Sequence, residues 1–203
     1  MNTFKITLLF LSVSFVTFSS CNKKVKGCMD PASTNFNSKA TEDDGSCTYA
    51  PKTLGQSFGG GFVFYVDATG QHGLVAAPVD QGNSRGWHNS IIIATGATGS
   101  AVGTGQSNTT AIVNTQGAGP YAAKICDDLV SGGFSDWFLP SKDELNLMYT
   151  NLHLKSIGNT AFARYWSSTE INTDDAMCLE FNSGTWTQVN KITTISVRAA
   201  RKF

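Results

Sequence analysis

A chain of 203 residues with 15 Lys and Arg against 15 Asp and Glu has no net field to draw it to nucleic acid or to an anionic membrane surface. Charged residues are only 15% of the chain and glycine reaches 20 residues, which favours a loop-rich fold of short strands over a helical bundle. The length allows one medium domain plus accessories.

Met1–Ser20 reads as an export segment. Lys5 supplies the positive start, Ile6–Phe18 the apolar stretch, and Ser19-Ser20 the small residues before Cys21. The other reading is a transmembrane anchor, but a span needs ~20 apolar residues and this run is shorter. Cys21 directly after the small residues resembles the bacterial lipobox, in which the thiol is acylated and becomes the new N-terminus; Phe18 departs from the usual Leu. Several acyl chains hold a protein on a bilayer where a single chain barely does. The expectation is an outer-membrane lipoprotein of the bacterial envelope, with residues 1–20 removed, Cys21 lipidated and membrane contact through that anchor alone. Five cysteines are odd for an exported protein; giving Cys21 to lipid leaves Cys28, Cys47, Cys126 and Cys178 to pair.

Residues 21–26 form a short polar tether, and residues 27–50 a separate unit too small to build a core. A Cys28–Cys47 bridge is its natural staple. The string Gly27-Cys-Met-Asp-Pro-Ala-Ser-Thr-Asn-Phe-Asn, closing on Asp43-Asp-Gly-Ser-Cys47, resembles a short Cys-bounded repeat of bacterial surface proteins. That repeat is loosely similar to calcium-binding thrombospondin type 3 repeats. Asp30, Asn35, Asn37, Asp43 and Asp44 are hard oxygen donors of the kind calcium takes. They are equally good turn formers, with Asp44-Gly45 a tight turn, and no regular Asp-x-Asp-x-Asp loop is present.

Ala50-Pro51-Lys52 marks the boundary to a domain over 52–203. Phe58–Asp67 and Leu74–Pro78 flank a Gly-rich turn and predict a β-hairpin. Asp80–Gln116, rich in Gly, Ser, Thr and Asn around Trp87 and Ile91–Ile93, predicts a long loop. Pro120 opens a helix whose Ala122, Ile125, Cys126 and Leu129 recur at helical spacing until Gly132-Gly133. Trp137-Phe138-Leu139 is a short strand stopped by Pro140, and Ser141 with Glu144 has capping-box spacing. Behind the cap, Leu145, Met148, Tyr149 and Leu152 make one apolar helix face, with Gly158 as its stop. Ala176–Phe181 and Thr185–Val189 form a hairpin about Asn182–Gly184, and Val197–Arg201 is the final strand.

Three of these blocks carry a family resemblance: Asp136-Trp-Phe-Leu-Pro-Ser-Lys-Asp-Glu-Leu145, Tyr165-Trp-Ser-Ser-Thr-Glu170 and Val197-Arg-Ala-Ala-Arg201. In order and spacing they resemble the C-terminal domain of bacterial collagen-like adhesins, the Lcl C-terminal type, across roughly residues 52–203. The resemblance implies an α+β, C-type-lectin-like domain with short antiparallel strands, two helices and long loops. It also implies adhesion, since the namesake binds sulfated glycans. The C-type-lectin outline links a helix to a late strand by a disulfide, which would pair Cys126 with Cys178. Against this, strict alternation puts Cys178 on the face opposite Met177, Leu179 and Phe181, and two buried thiols are the other reading.

Catalytic constellations are missing from the sequence. His72, His88 and His153 have no Cys or carboxylate at metal-ligand spacing, and Ser167-Ser168 lies in no Gly-x-Ser-x-Gly elbow. Glu170, Asp174, Asp175 and Glu180 could make a glycosidase pair, but sequence does not show their separation. The chain reads as a non-enzyme. Trp137 and Trp166 sit in core-like contexts; Trp87 and Trp186 are the better candidates for an exposed sugar platform, a half-buried structural role being the alternative. The Glu-Pro-Asn and Trp-Asn-Asp motifs of calcium-dependent lectins are absent. Lys191, Arg198, Arg201 and Lys202 form a basic cluster suited to sulfated glycan, unless the two arginines turn inward. The expected ligand contacts are therefore Trp87, Trp186, Lys191, Arg201 and Lys202. Two functions follow: an envelope-anchored module that binds glycan or a surface protein, or a non-catalytic assembly subunit. A polar-rimmed aromatic cleft favours the first, and an exposed apolar patch in the long loop the second.

Overall fold

A computed structural model describes residues 23–203, so the expected export segment 1–20 and the expected lipid site Cys21 lie outside the described residues. The chain divides after Tyr49 into two units, the second running Ala50–Phe203. In the first, β1 (Lys26–Gly27) and β2 (Glu42–Asp43) pair as two parallel residues each. So little ladder cannot order a unit by itself, and the Cys28–Cys47 disulfide closes it. Cys28 is buried, and the remaining order comes from side chains clasping turns. Asn35 accepts from the Thr48 N–H and donates to the Ser46 carbonyl.

In this geometry the residues expected as calcium donors take part in turns. Asp30 accepts from the Ala32 N–H and the Tyr49 hydroxyl, Asn37 from Lys39, Asp43 from Gly45 and Asp44 from Ser46. Each oxygen thus caps its own turn. Among the described residues no three His, Cys, Asp or Glu side chains converge on a metal position.

The second unit is an α+β fold of two sheets and three helices. β3 (Ser57–Phe58), β4 (Gly61–Val66) and β5 (Gly73–Ala76) form a meander, and the expected hairpin is β4–β5. β6 (Gly82–Arg85) starts the other sheet. Helices α1 (Gly105–Gln116), α2 (Ala122–Asp127) and α3 (Lys142–Asn151) follow. β7 (Arg164–Glu170), β8 (Asp175–Glu180) and β9 (Thr185–Asn190) make an antiparallel meander. β10 (Ile195–Val197) lies between β6 and β7, parallel to β7, while β11 (Ala200–Lys202) pairs with β5.

Three expectations are corrected here. The region 80–116 is not one long loop: it holds β6 and the twelve-residue α1, giving three helices rather than two. Its buried face is Asn108, Thr109, Ile112 and Gln116, so the helix shows little apolar periodicity. The segment 197–201 is not one strand, because the chain leaves the five-stranded sheet at Arg198-Ala199 and enters the four-stranded one. Cys126 and Cys178 are buried free thiols. The Cys178 sulfur lies 3.0 Å from the Thr187 hydroxyl, across the β8–β9 pair, and burial pushes both thiols up in pKa.

The predicted capping box is present. The Ser141 hydroxyl accepts from the Glu144 N–H, and the Glu144 carboxylate accepts from the Ser141 N–H at 2.8 Å. Leu145, Met148 and Leu152 from the predicted face are buried, but the helix ends at Asn151 with Leu152 as its C-cap, before Gly158. Trp137, Phe138 and Leu139 are buried as expected, joined to β11 by one bridge, Phe138 to Ala200. Trp166 and Trp137 lie in one core cluster with Trp87, Tyr121 and Cys126, while Phe138, Leu145, Met148, Tyr165 and Phe181 make the other. Both faces of β8 are covered by packed side chains: Cys178 joins the first cluster and Leu179 the second. Among the described residues no helix is long and apolar enough to cross a membrane.

Candidate functional site

The basic cluster expected at the C-terminal end is dispersed. Lys191 is 1% exposed, and its ammonium donates to Glu170 at 2.6 Å and to the Asn172 and Thr173 carbonyls at 2.8 Å. It also lies 4.7 Å from the centre of the Trp87 ring. Trp87 is fully buried, its indole N–H donating to the Ser167 carbonyl, so it is no sugar platform. Glu170 further accepts from the Thr95 and Gly96 N–H groups. Burial pushes the Glu170 carboxyl up, but Lys191 and these two amides outweigh it and hold it below its ordinary value. Lys191 and Trp87 are therefore a structural knot that fastens the 87–97 segment to β7 and β9.

Arg201 is also withdrawn. Its guanidinium makes a two-point contact with Asp136 at 2.7 and 3.0 Å and lies 3.7 Å from the Phe134 ring centre. That contact holds the Asp136 carboxyl below the usual range. Arg198, fully buried at the sheet switch, donates to the carbonyls of Ala77, Gly158 and Asn159 and to Asp80 at 2.6 Å. The inward reading holds for both arginines.

Two of the expected contacts stay accessible. Trp186 is half-buried on the edge strand β9, with the Lys142 ammonium 5.5 Å from its ring centre. Lys202 is exposed at the end of β11 and lines a cleft of about 290 Å³ with Tyr65, Asp67, His72, Val102, Gly103 and Phe203, its ammonium donating to the Gly103 carbonyl at 3.4 Å. Strands β4, β5 and β11 supply one wall and the 101–104 loop the other. The floor is braced by Glu144, which accepts from the Gly103 N–H at 2.8 Å while it caps α3. Phe203 meets Phe58 edge-on at 5.1 Å, and the Lys52 ammonium stands 4.6 Å from the Phe58 ring centre. The cleft thus joins aromatic walls to one cation, Lys202, and one carboxylate, Asp67, whose Oδ1 accepts from the Thr69 N–H and hydroxyl, an arrangement suited to a ligand with an apolar body and charged or polar groups.

Sequence reasoning missed Tyr65, His72, Val102 and Phe203 because they come from four separate segments: pairing of β5 with β4 and β11 gathers the first, second and last, and the 101–104 loop adds Val102. The expected loop patch does exist in part. Ile91, Ile92 and Ile93 are 48%, 61% and 45% exposed, on an extended stretch tied down at Trp87 and at Thr95–Ala97. No apolar partner covers them among the described residues.

No curated protein matches this chain. Among solved structures, a fimbrial protein from Bacteroides ovatus ATCC 8483 is similar at 18% identity and a TM-score of 0.44. The likeness covers 64% of this chain and 36% of that one, so the chain spans about a third of its length. At that identity and score it decides neither fold family nor function. The model of the Lcl C-terminal domain matches residues 80–201, the stretch from the start of β6 to β11. That match covers more than half of the 203 residues and includes all three blocks that suggested the resemblance, so the protein belongs to the Lcl C-terminal domain family.

Proposed function

We propose that this protein is a non-catalytic binding module of the bacterial cell surface, tethered by lipid at Cys21, whose larger unit engages an anionic glycan through the Lys202 cleft. The observation that carries the reading is that Lys202, alone of the three cationic contacts expected from sequence, is exposed and sits beside aromatic walls. A C-type-lectin-like outline is part of the proposal; it is supported by the last strand, β11, returning to the early β4–β5 hairpin, with long irregular segments between. A non-enzymatic role is supported by the engagement of two of the three histidines and of Ser167, His72 being exposed in the cleft. His88 accepts from the Ser90 N–H, His153 pairs with the Thr160 hydroxyl, and Ser167 donates to the Met177 carbonyl.

The test uses the chain from residue 22 onward and heparin as the probe. Binding should weaken as salt rises, since exposed charges are screened beyond a Debye length of about 10 Å at 0.1 M. Lys202→Ala should weaken it further with the melting temperature unchanged. Absence of heparin binding, or binding indifferent to Lys202→Ala, refutes the cleft reading. Mass spectrometry of the protein extracted from its own envelope tests the tether: an unmodified Cys21 or an intact Met1 refutes it. The assembly-subunit reading is favoured by one observation, the exposed Ile91–Ile93 stretch. Association in solution that Ile92→Asp abolishes, with heparin ignored, would select it.

A further inference from the structure

A second concavity lies away from the Lys202 cleft, on the loop that follows α3. It has a volume of about 180 Å³ and is lined by His153, Ser156, Ile157, Asn159, Thr160 and Phe162. Ser156, Gly158 and Asn159 all take positive φ, at 57°, 83° and 52°. Two of these are not glycine, and each such residue costs about 1–3 kcal/mol unless its surroundings impose it. The surroundings do impose it here. Buried Arg198 draws in the carbonyls of Gly158 and Asn159, and the Tyr165 hydroxyl accepts from the Ala161 N–H at 2.8 Å. With the loop backbone held inward, the side chains of Ser156 and Asn159 are left exposed, and among the described residues neither has a hydrogen-bond partner.

Phe162 completes the cup. It is 78% exposed, the largest exposure of any large apolar residue described, and its ring meets His153 edge-on at 4.8 Å. A phenylalanine held in water on a loop this constrained gains nothing for folding. Its accessible ring stands beside an amide with donor and acceptor, two hydroxyls and no charged side chain.

We propose that this pocket is a site for a single uncharged pyranose. The C–H face of the sugar packs on Phe162 while its hydroxyls bond to Asn159, Ser156 and Thr160. The volume fits one ring, being below the ~300–1,000 Å³ of pockets that take larger ligands. The lack of a lining charge selects against sulfated or carboxylated sugars, because an anion would lose water without a counter-charge. The site is separate from the Lys202 cleft in residues and in charge, so either can fail alone.

The test titrates the chain from residue 22, isotope-labelled for NMR, with methyl glycosides of glucose, galactose and mannose and with N-acetylglucosamine. At least one should move the amides of residues 153–162 with millimolar affinity. Phe162→Ala and Asn159→Ala should each weaken that binding by about tenfold or more, the loss of one ring face or of paired hydrogen bonds. The melting temperature of Phe162→Ala should not change, because the ring is exposed. Glucuronate and glucose 6-sulfate should bind at least tenfold more weakly than glucose, by about 1.4 kcal/mol or more. A neutral oligosaccharide ending in the same sugar distinguishes a chain end from a free monosaccharide: equal affinity assigns the former, loss the latter. The proposal is overturned if no neutral sugar shifts these amides, if binding survives Phe162→Ala, or if Lys202→Ala is what abolishes it.

Discussion

Replacing Lys191 by Met removes a cation while keeping the length of the side chain, and it tests whether this residue faces ligand or core. In the structure it leaves the Glu170 carboxylate 4% exposed with two amide donors and no counter-ion, and it orphans the Asn172 and Thr173 carbonyls. Breaking one side of a buried pair costs about 3–5 kcal/mol, a large share of the 5–15 kcal/mol that holds a typical domain. For a protein of this size that lowers the melting temperature by roughly 6–20 °C, since each kcal/mol is worth about 2–4 °C. Thermal and urea unfolding of the chain from residue 22 give the number directly, with Lys202→Ala as the comparison. Lys202 is exposed, so its replacement should stay within about 0.5 kcal/mol of wild type. Glu170→Gln keeps an acceptor for Thr95 and Gly96. The double variant Lys191→Met with Glu170→Gln should therefore lose about 0.5–3 kcal/mol less than the sum of the singles. A Lys191→Met protein that melts within 2 °C of wild type, or that loses heparin binding with stability intact, would show the buried pair to be misassigned; the ~2 °C margin corresponds to under about 1 kcal/mol.

Gly105→Ala should destabilise by about 1–3 kcal/mol despite the better helix propensity of alanine, because its Cβ would lie 2.8 Å from the Phe138 ring and against the Glu144 carboxylate; an unchanged urea midpoint refutes the close packing. Acid should act in two steps. Burial depresses the His88 and His153 pKa values, so stability present above their unfolded value of about 6.5 declines as pH falls through the folded values. Glu170 and Asp136, also depressed, add loss below about pH 4 as they protonate. Urea midpoints measured from pH 8 to 3 should show both steps, and a flat profile down to pH 4 contradicts the first. Reduction of Cys28–Cys47, which spans 19 residues, should remove about 3 kcal/mol from the small unit and expose 29–46 to protease while the larger unit keeps its melting transition. Equal protease resistance before and after reduction speaks against the staple.

What the sequence by itself determined is local. Ser141 and Glu144 announce their helix because a capping box needs only residues three apart, and the strand pairs about Gly70 and Gly184 announce hairpins because a short turn sets their register. The Cys28–Cys47 bridge was legible because so short a segment has no other way to hold itself. Helix α1 was not legible: its buried positions Asn108, Thr109 and Gln116 are polar, and they satisfy each other's neighbours only after folding, as when Asn108 exchanges hydrogen bonds with Gly99. The basic cluster misled for a tertiary reason. Arg198 and Arg201 look like solvent charges on one strand, yet the switch between sheets at Ala199 turns both inward toward carbonyls and Asp136. Lys191 reads as exposed until β7 and the 87–97 segment place Glu170 and Trp87 against it, contacts of 21 and more than 100 residues' separation. Which charges face water is decided by such long-range placement, since a buried charge persists only where another part of the chain supplies its partner. The same holds for the two concavities. Lys202 acquires Tyr65 through sheet pairing and Val102 through its bond to the Gly103 carbonyl, and Phe162 acquires its cup because Arg198 reaches the loop from the far end of the chain.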